Sequence, residues 1–510
     1  MCLIPPSIAG QHGWLRNFKT CPKVLPSPVN LSALPLPSPW TNQHSPGPSH
    51  TIASYIMIVS CLLCMTYLLT SFFIVPNVKV THFSTSLQDL YPPTSLEHIV
   101  FGIASNDKSW LSWKEYVRLW WRPREMRGCV FLESTPPNAT TVNQADASAL
   151  PPICVSGDTS QFRYTYRNGL RSAIRVARVV SETVALNHSN VRWFVFGDDD
   201  TVFFPENLVK TLSKYDHGLW YYIGTNSESY KQNKFFAFEM AFGGAGFAIS
   251  YPLAKVLAKV FDSCLERYPH LYGSDSRIQS CLAELGVSLT HEPGFHQMDV
   301  RGSVFGLLAS HPIRPLVSLH HGEAMDPIFP KMTPIKALEH LFKAVSIDSQ
   351  RVMQQTVCYD RWFSWTISVS WGYAVQIFPH NVFLPDAIRT QETYIPWRKG
   401  GGINDLYVMD TLEYNPDPCR RPPVFFLHDV SSGRNRIRST YRMMTSDNCT
   451  FDMASPRKLE EITVFSQKQD LDHKQVHFSC KRHEDNVVTC YRPLPALYWK
   501  LLYENVVMKS

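Results

Sequence analysis

The 510-residue sequence predicts an α/β domain, preceded by one membrane-spanning helix and followed by a β-rich domain. Three observations predict it. Thr51 to Val75 is an apolar run without a charged residue. The middle of the chain interleaves short buried-strand patterns with amphipathic helical ones, and from about Gln350 onward β-branched and aromatic residues alternate instead. The composition allows all three: 44% of residues are hydrophobic, and 13 Trp with 29 Phe argue for large cores and against overall disorder. A net charge of +6 without any Lys/Arg block excludes a nucleic-acid partner as the working expectation.

Residues 1–50 repeat Pro-Ser-Pro and Pro-Gly-Pro and read as a disordered tail. Residues 51–75 are long enough to cross a hydrocarbon core of about 30 Å. Some fifty residues precede the run, so it reads as a signal anchor rather than a cleaved signal peptide. Arg16, Lys19 and Lys23 lie before it and only Lys79 lies close behind, which places the N-terminus in the cytosol and the rest in a lumen. The sequons at Asn138, Asn187 and Asn448 agree with that topology, as do nine cysteines past the span, Cys129 to Cys490, whose natural fate in an oxidising lumen is disulfide formation. An odd count leaves at least one thiol free or paired between chains. Residues 76–95 form a polar stem.

The catalytic-domain candidate spans 96–335. His98 to Ser105 reads as a buried strand, Trp110 to Trp121 as a helix with aromatic and basic residues alternating, and Gly128 to Glu133 as a second strand. A loop from Ser134 to Pro152 follows. Leu170, Ile174, Ala177 and Val180 give Tyr164 to Leu186 the spacing of one long helix with a solvated arginine face. Val191 to Gly197 is then an apolar central strand that runs straight into Asp198-Asp199-Asp200.

Three carboxylates repel one another. Placed where a buried strand stops, in the crevice where open α/β sheets bind ligands, they call for a hard divalent cation with oxygen ligands. An acidic turn before a helix from Pro205 to Tyr215 is the blander reading. Downstream, Gly243 and Gly244 permit close backbone approach. Asp275 opens a helix that stops at Gly286, and helix logic alone makes it an N-terminal charge. His296, His320 and His321 offer a nitrogen ligand.

These residues together resemble the fringe-like β-1,3-glycosyltransferases, specifically their plant fringe-related subfamily. The likeness rests on Trp193 to Phe204, Phe242 to Phe247, the spacing from Gly273-Ser-Asp275 to Leu285-Gly286-Val287, and Gly294-Phe-His296, in order over about residues 95–330. It implies a GT-A, Rossmann-like domain, a UDP-sugar donor, Mn2+, a glycan or glycoprotein acceptor, inversion at the anomeric carbon and residence in the Golgi membrane. It also implies Asp200 and His296 as metal ligands, with His320 and His321 as alternatives to the latter. Asp198, Asp199, Gly243 and Gly244 would then stand on the donor side, with Asp275 as catalytic base next to Ser274, where the family has a second acid.

Residues 350–510 form the β-rich domain, whose alternating tryptophans from Trp362 to Trp371 suit a sandwich core better than a sugar-stacking surface. Two rival functions fit parts of the sequence. Asp198 and Asp200 after an apolar strand also match a haloacid-dehalogenase-type phosphatase, with Asp198 as nucleophile. A non-catalytic luminal carbohydrate-binding protein with a structural ion is the other.

Overall fold

The computed structural model describes residues 49–74, 92–134, 148–311, 314–360, 363–397, 406–433, 436–444, 449–451, 454–467, 479–482, 488–491 and 503–509. Two compact units emerge, 6–92 and 93–510. The first holds helix α1 (Ser49–Ile74). Its side chains are described from Tyr55 to Tyr67, and all are exposed. Among the described residues no helix is long and apolar enough to cross a membrane, so the anchor rests on the sequence alone. The tail, the stem to residue 91, and sequon residues Asn138 and Asn448 lie outside the described residues, whereas Asn187 is exposed in a turn.

The larger unit starts with strands β1 (Ile99–Ala104), β2 (Arg127–Leu132), β3 (Ile153–Val155), β4 (Trp193–Asp198), β5 (Val202–Phe203), β6 (Tyr222–Gly224), β7 (Phe247–Ser250) and β8 (Leu289–His291). All but β5 form one sheet in the order β3-β2-β1-β4-β7-β6-β8, parallel except for β7. Alternation along β1 splits its side chains between two layers. Val100 faces a core with helices α3 (Ser172–Ala185), α6 (Tyr251–Arg267) and α7 (Ser274–Glu284), while Ile99, Phe101 and Ile103 face a second core with Trp110 and Trp120 of α2 (Asp107–Trp120). Between them in sequence lie α4 (Pro205–Leu212) and α5 (Tyr230–Phe235).

The long helix expected from Tyr164 is shorter by two turns. Asn168 adopts a left-handed conformation (φ 61°), and Tyr164 and Thr165 bond to the backbone of Tyr272 and Pro269, so the chain enters α3 only at Ser172. Its arginines are not all solvated: Arg175 is buried and donates to the carbonyls of Ser105 (2.6 Å) and Phe131 (3.3 Å).

Beyond β8 come β9 (Val300–Gly302), helix α8 (Phe305–Ala309), β10 (Ser318–Leu319) and helix α9 (Pro334–Asp348). Next are β11 (Gln355–Tyr359), β12 (Thr366–Ser370), β13 (Ala374–Phe378), β14 (Thr390–Gln391), β15 (Tyr394–Pro396) and β16 (Thr411–Leu412). Last are β17 (Val424–Ser432), β18 (Ile437–Met443), β19 (Glu461–Ser466), β20 (Ser479–Arg482), β21 (Val488–Tyr491) and β22 (Tyr503–Lys509). Nine of these strands form a single antiparallel sheet, β11-β12-β13-β17-β18-β19-β22-β21-β20, rather than the two faces of a sandwich. Trp365 and Trp371 are buried beneath it, and Trp362 lies outside the described residues.

Residues on either side of the expected boundary at 335–350 share one hydrophobic core. Phe305 of α8 contacts the rings of Tyr373 and Phe426, and His340 of α9 bonds to the carbonyl of Leu427. Disulfides join Cys129 to Cys154, Cys264 to Cys281 and Cys419 to Cys449; Cys358 is also disulfide-bonded, and Cys61 and Cys64 are free.

Candidate metal centre and cleft

β4 ends at Asp198 in the middle of the sheet, and a tight turn presents the acidic triplet. Thr201 holds the turn. Its N–H donates to the Asp198 carbonyl (3.1 Å), its hydroxyl accepts from the Asp198 N–H (2.8 Å) and donates to the Gly244 carbonyl (2.8 Å). Trp120 caps it from α2 through an indole N–H to the Thr201 carbonyl (3.1 Å).

The three acids separate into two directions. Asp199 is buried and accepts from the hydroxyls of Ser105 and Ser109, both at 2.6 Å. Burial, with repulsion from Asp200, still pushes its carboxyl up to about 6. Asp198 and Asp200 turn the other way, toward His320. Among the described residues these three form the group that could hold a metal ion, one ligand atom from each lying within 4.8 Å of the others. His320 Nε2 stands 3.0 Å from Asp200 Oδ1 and 3.9 Å from Asp198 Oδ2.

His320 arrives there by strand pairing. β10 runs antiparallel to β5, with Leu319 opposite Val202, so the residue after β10 meets the acids just before β5. The His320 ring then packs on Gly244, where a Cβ would fall 2.0 Å from ring atom Cε1. His320 Nδ1 lies 3.2 Å from the Gln297 carbonyl, an acceptor that fixes the proton on Nδ1 and aims Nε2 at the carboxylates. Burial lowers an imidazole's proton affinity, yet the two acids hold His320 up to about 9; burial likewise raises Asp200, yet His320 draws it well below the carboxylate range. Two hard carboxylates and one oriented imidazole suit a divalent cation.

Asp275 lies in the first turn of α7 across a cleft lined also by Gly197, Asp198, Gly243 and Ser274. A Cβ at Gly243 would fall 2.7 Å from Asp275 Oδ1. Burial, then the charge of Asp198, raises the Asp275 carboxyl, against bonds from the Gly243 backbone and Ser274. The cleft continues into an apolar mouth formed by Leu170, Phe236, Met240 and Tyr272.

The structure corrects the expectation at His296. Its Nδ1 lies 3.0 Å from Glu228 and its Nε2 2.6 Å from His311 Nε2, so both ring nitrogens are engaged away from the acids. Gly243 and Gly244 let Asp275 and His320 approach the backbone. Thr201 lies inside the Trp193 to Phe204 stretch without a role assigned to it, and Gln297 and the serines that hold Asp199 carry no motif.

A family model described as "Protein of unknown function, DUF604" matches residues 232–483, a stretch that includes Gly243, Asp275 and His320 and runs through the expected domain boundary. No curated protein matches the chain. Among solved structures, the galactosyltransferase LgtC in complex with donor and acceptor sugar analogs is 14% identical over 47% of this chain and 92% of its own, with a TM-score of 0.29. A mannosyltransferase from Pyrobaculum calidifontis, solved with GDP-Man and Mn2+, is 11% identical over 40% of this chain and 61% of its own (TM-score 0.24). Mouse xyloside xylosyltransferase 1 is 7% identical over 38% and 84% (TM-score 0.25). Likenesses this distant leave function to the site itself.

Proposed function

We propose that the chain is a metal-dependent glycosyltransferase of the GT-A kind, taking a UDP-sugar and a glycan or glycoprotein acceptor. The observation that carries the reading is one arrangement: Asp198, Asp200 and His320 converge at the end of a central strand, and the half-buried Asp275 shares a cleft with Asp198. Those three residues would hold a divalent cation such as Mn2+, which would supply positive charge to the diphosphate of the donor. Asp275 takes the proton of the acceptor hydroxyl as that oxygen attacks the anomeric carbon and the bond from that carbon to the diphosphate oxygen breaks, releasing UDP; its raised proton affinity favours the proton transfer. Gly243 and Gly244 keep Asp275 and His320 in place, and Ser105 and Ser109 hold Asp199 out of the ligand set. Inversion, a β-1,3 linkage and a luminal, Golgi-anchored topology complete the proposal and rest on the sequence resemblance.

The test is a screen of UDP-sugars for hydrolysis and transfer with Mn2+. Asp200→Ala is expected to abolish both Mn2+-dependent UDP binding and activity, and Asp275→Asn to abolish transfer while UDP binding persists. Full activity in both variants would refute the assignment. A phosphoryl group trapped on Asp198 would instead favour the phosphatase, and absence of Mn2+-dependent UDP binding the carbohydrate-binding protein.

A further inference from the structure

His320 is one member of a pile of rings. Its other neighbour is His321, with ring centroids 3.8 Å apart. The His321 ring in turn stacks on Trp397 at 4.5 Å and an interplanar angle of 11°. The Arg301 guanidinium lies over the Trp397 indole, 4.4 Å from its centroid, and Arg301 Nε donates to the Trp397 carbonyl (2.8 Å). Gly244, His320, His321, Trp397 and Arg301 therefore form one continuous run of contacts, which joins the candidate ligand His320 to Trp397 of the C-terminal region.

Two further facts show that this stack is built rather than incidental. Trp397 directly follows β15, which pairs antiparallel with β9, Ile395 opposite Arg301 and Pro396 opposite Val300. The pairing sets the indole beside the histidines. In addition, His321 has φ 56°, a left-handed conformation that a β-carbon disfavours and that packing on both sides must maintain. That turn lets two consecutive imidazoles lie against each other, whereas side chains of neighbouring residues in a strand point to opposite faces.

We infer that Trp397 is a positioning residue for the cation site: by stacking on His321 it holds the His320 ring against Gly244, with Nε2 aimed at Asp198 and Asp200. The C-terminal region is thereby part of the site. The inference rests on reading Asp198, Asp200 and His320 as cation ligands. It also separates two jobs: Gln297 sets which nitrogen of His320 faces the acids, and the stack sets where that nitrogen lies.

The experiment measures Mn2+ affinity by calorimetry, and the thermal midpoint, for the full chain and for Trp397→Phe, Trp397→Leu, Trp397→Ala and Asp200→Asn. Loss of an outer partner of a ligating histidine weakens metal binding by about ten-fold or more. That loss is expected in the Leu and Ala variants, with most of the affinity kept by Phe, whose flat ring can still stack. Leu preserves apolar bulk, so it carries the test if Ala fails to fold. A merely structural role for Trp397 predicts a lower midpoint with unchanged Mn2+ affinity in Leu, and that result would overturn the inference. Wild-type affinity in the Leu variant together with none in Asp200→Asn leaves the cation site standing and removes the stack. If wild type itself binds no Mn2+, the cation reading falls and the inference with it.

Discussion

At Gly244 a methyl group has nowhere to go. The nearest atoms belong to the His320 ring, and the backbone beneath is held by Thr201, so the ring rather than the main chain must move. Gly244→Ala is therefore expected to lower Mn2+ affinity by at least about ten-fold, the scale of a misplaced ligand, as calorimetry can measure. Asp299 illustrates a different residue-level effect. It is buried, accepts from Ser227 (2.6 Å), and burial pushes its carboxyl up to about 7. In the unfolded chain the same group titrates near ~3.9. Between those values the folded state keeps a proton that the unfolded state has lost, so this contribution is complete below the lower value and disappears as pH rises through the upper one. Asp299→Asn should flatten the fall in thermal midpoint between pH 4.5 and 7.5 (about that window). An unchanged slope would assign it to other groups.

Elements carried by local pattern were the legible ones. The strands at Ile99 and Trp193 and the helices at Asp107 and Ser274 announce themselves by spacing, apolar run or cap, and the acidic triplet was readable because it interrupts such a run. His320 was readable only as one of three histidines. Its placement depends on β5 pairing with β10, two residues each, and so short a strand leaves no period to detect. The arginine face of α3 was misread for a related reason: spacing shows which side of a helix is apolar, not which carbonyls wait at the end of the neighbouring strand. Arg175 satisfies two of them there. Arg175→Leu would leave the Ser105 carbonyl without this donor, while the Phe131 carbonyl keeps the Ser105 N–H (3.1 Å), so denaturant unfolding should show a loss of about 1–3 kcal/mol. It should also loosen the segment at the start of α2, from which Ser105 and Ser109 reach Asp199.

For the molecule as a whole, the shared core decides how residues 93–510 behave. A boundary near 335–350 is natural in sequence because the pattern changes there from mixed to β-rich. Yet α8 and α9 pack onto the nine-stranded sheet, and β15 reaches back to pair with β9. Pattern reveals what an element is but not which sheet it joins, which is also why the expected sandwich became one sheet. Denaturant unfolding of residues 93–510 should follow a single transition, with tryptophan fluorescence and far-UV dichroism coinciding. A chain truncated after Asp348 should lack cooperative unfolding, because Phe305 and Leu338 would face water. Two well-separated transitions would restore the picture of independent domains.

The pairing of β5 with β10 has a kinetic consequence. Val202 and Leu319 are neighbours in space but lie at the two ends of a long chain segment, and Trp397 is more distant still. Closing such loops precedes any reward from the contacts they create, so these pairings belong to the last stage of assembly, after the local units around β1, α2 and β4. Refolding followed by two signals should therefore separate in time, tryptophan burial first and Mn2+ capture afterwards. A polypeptide emerging in order from its N-terminus would present Asp198 and Asp200 long before the imidazole that completes the proposed cation site, and on that proposal would be blind to a metal until nearly all of it had folded.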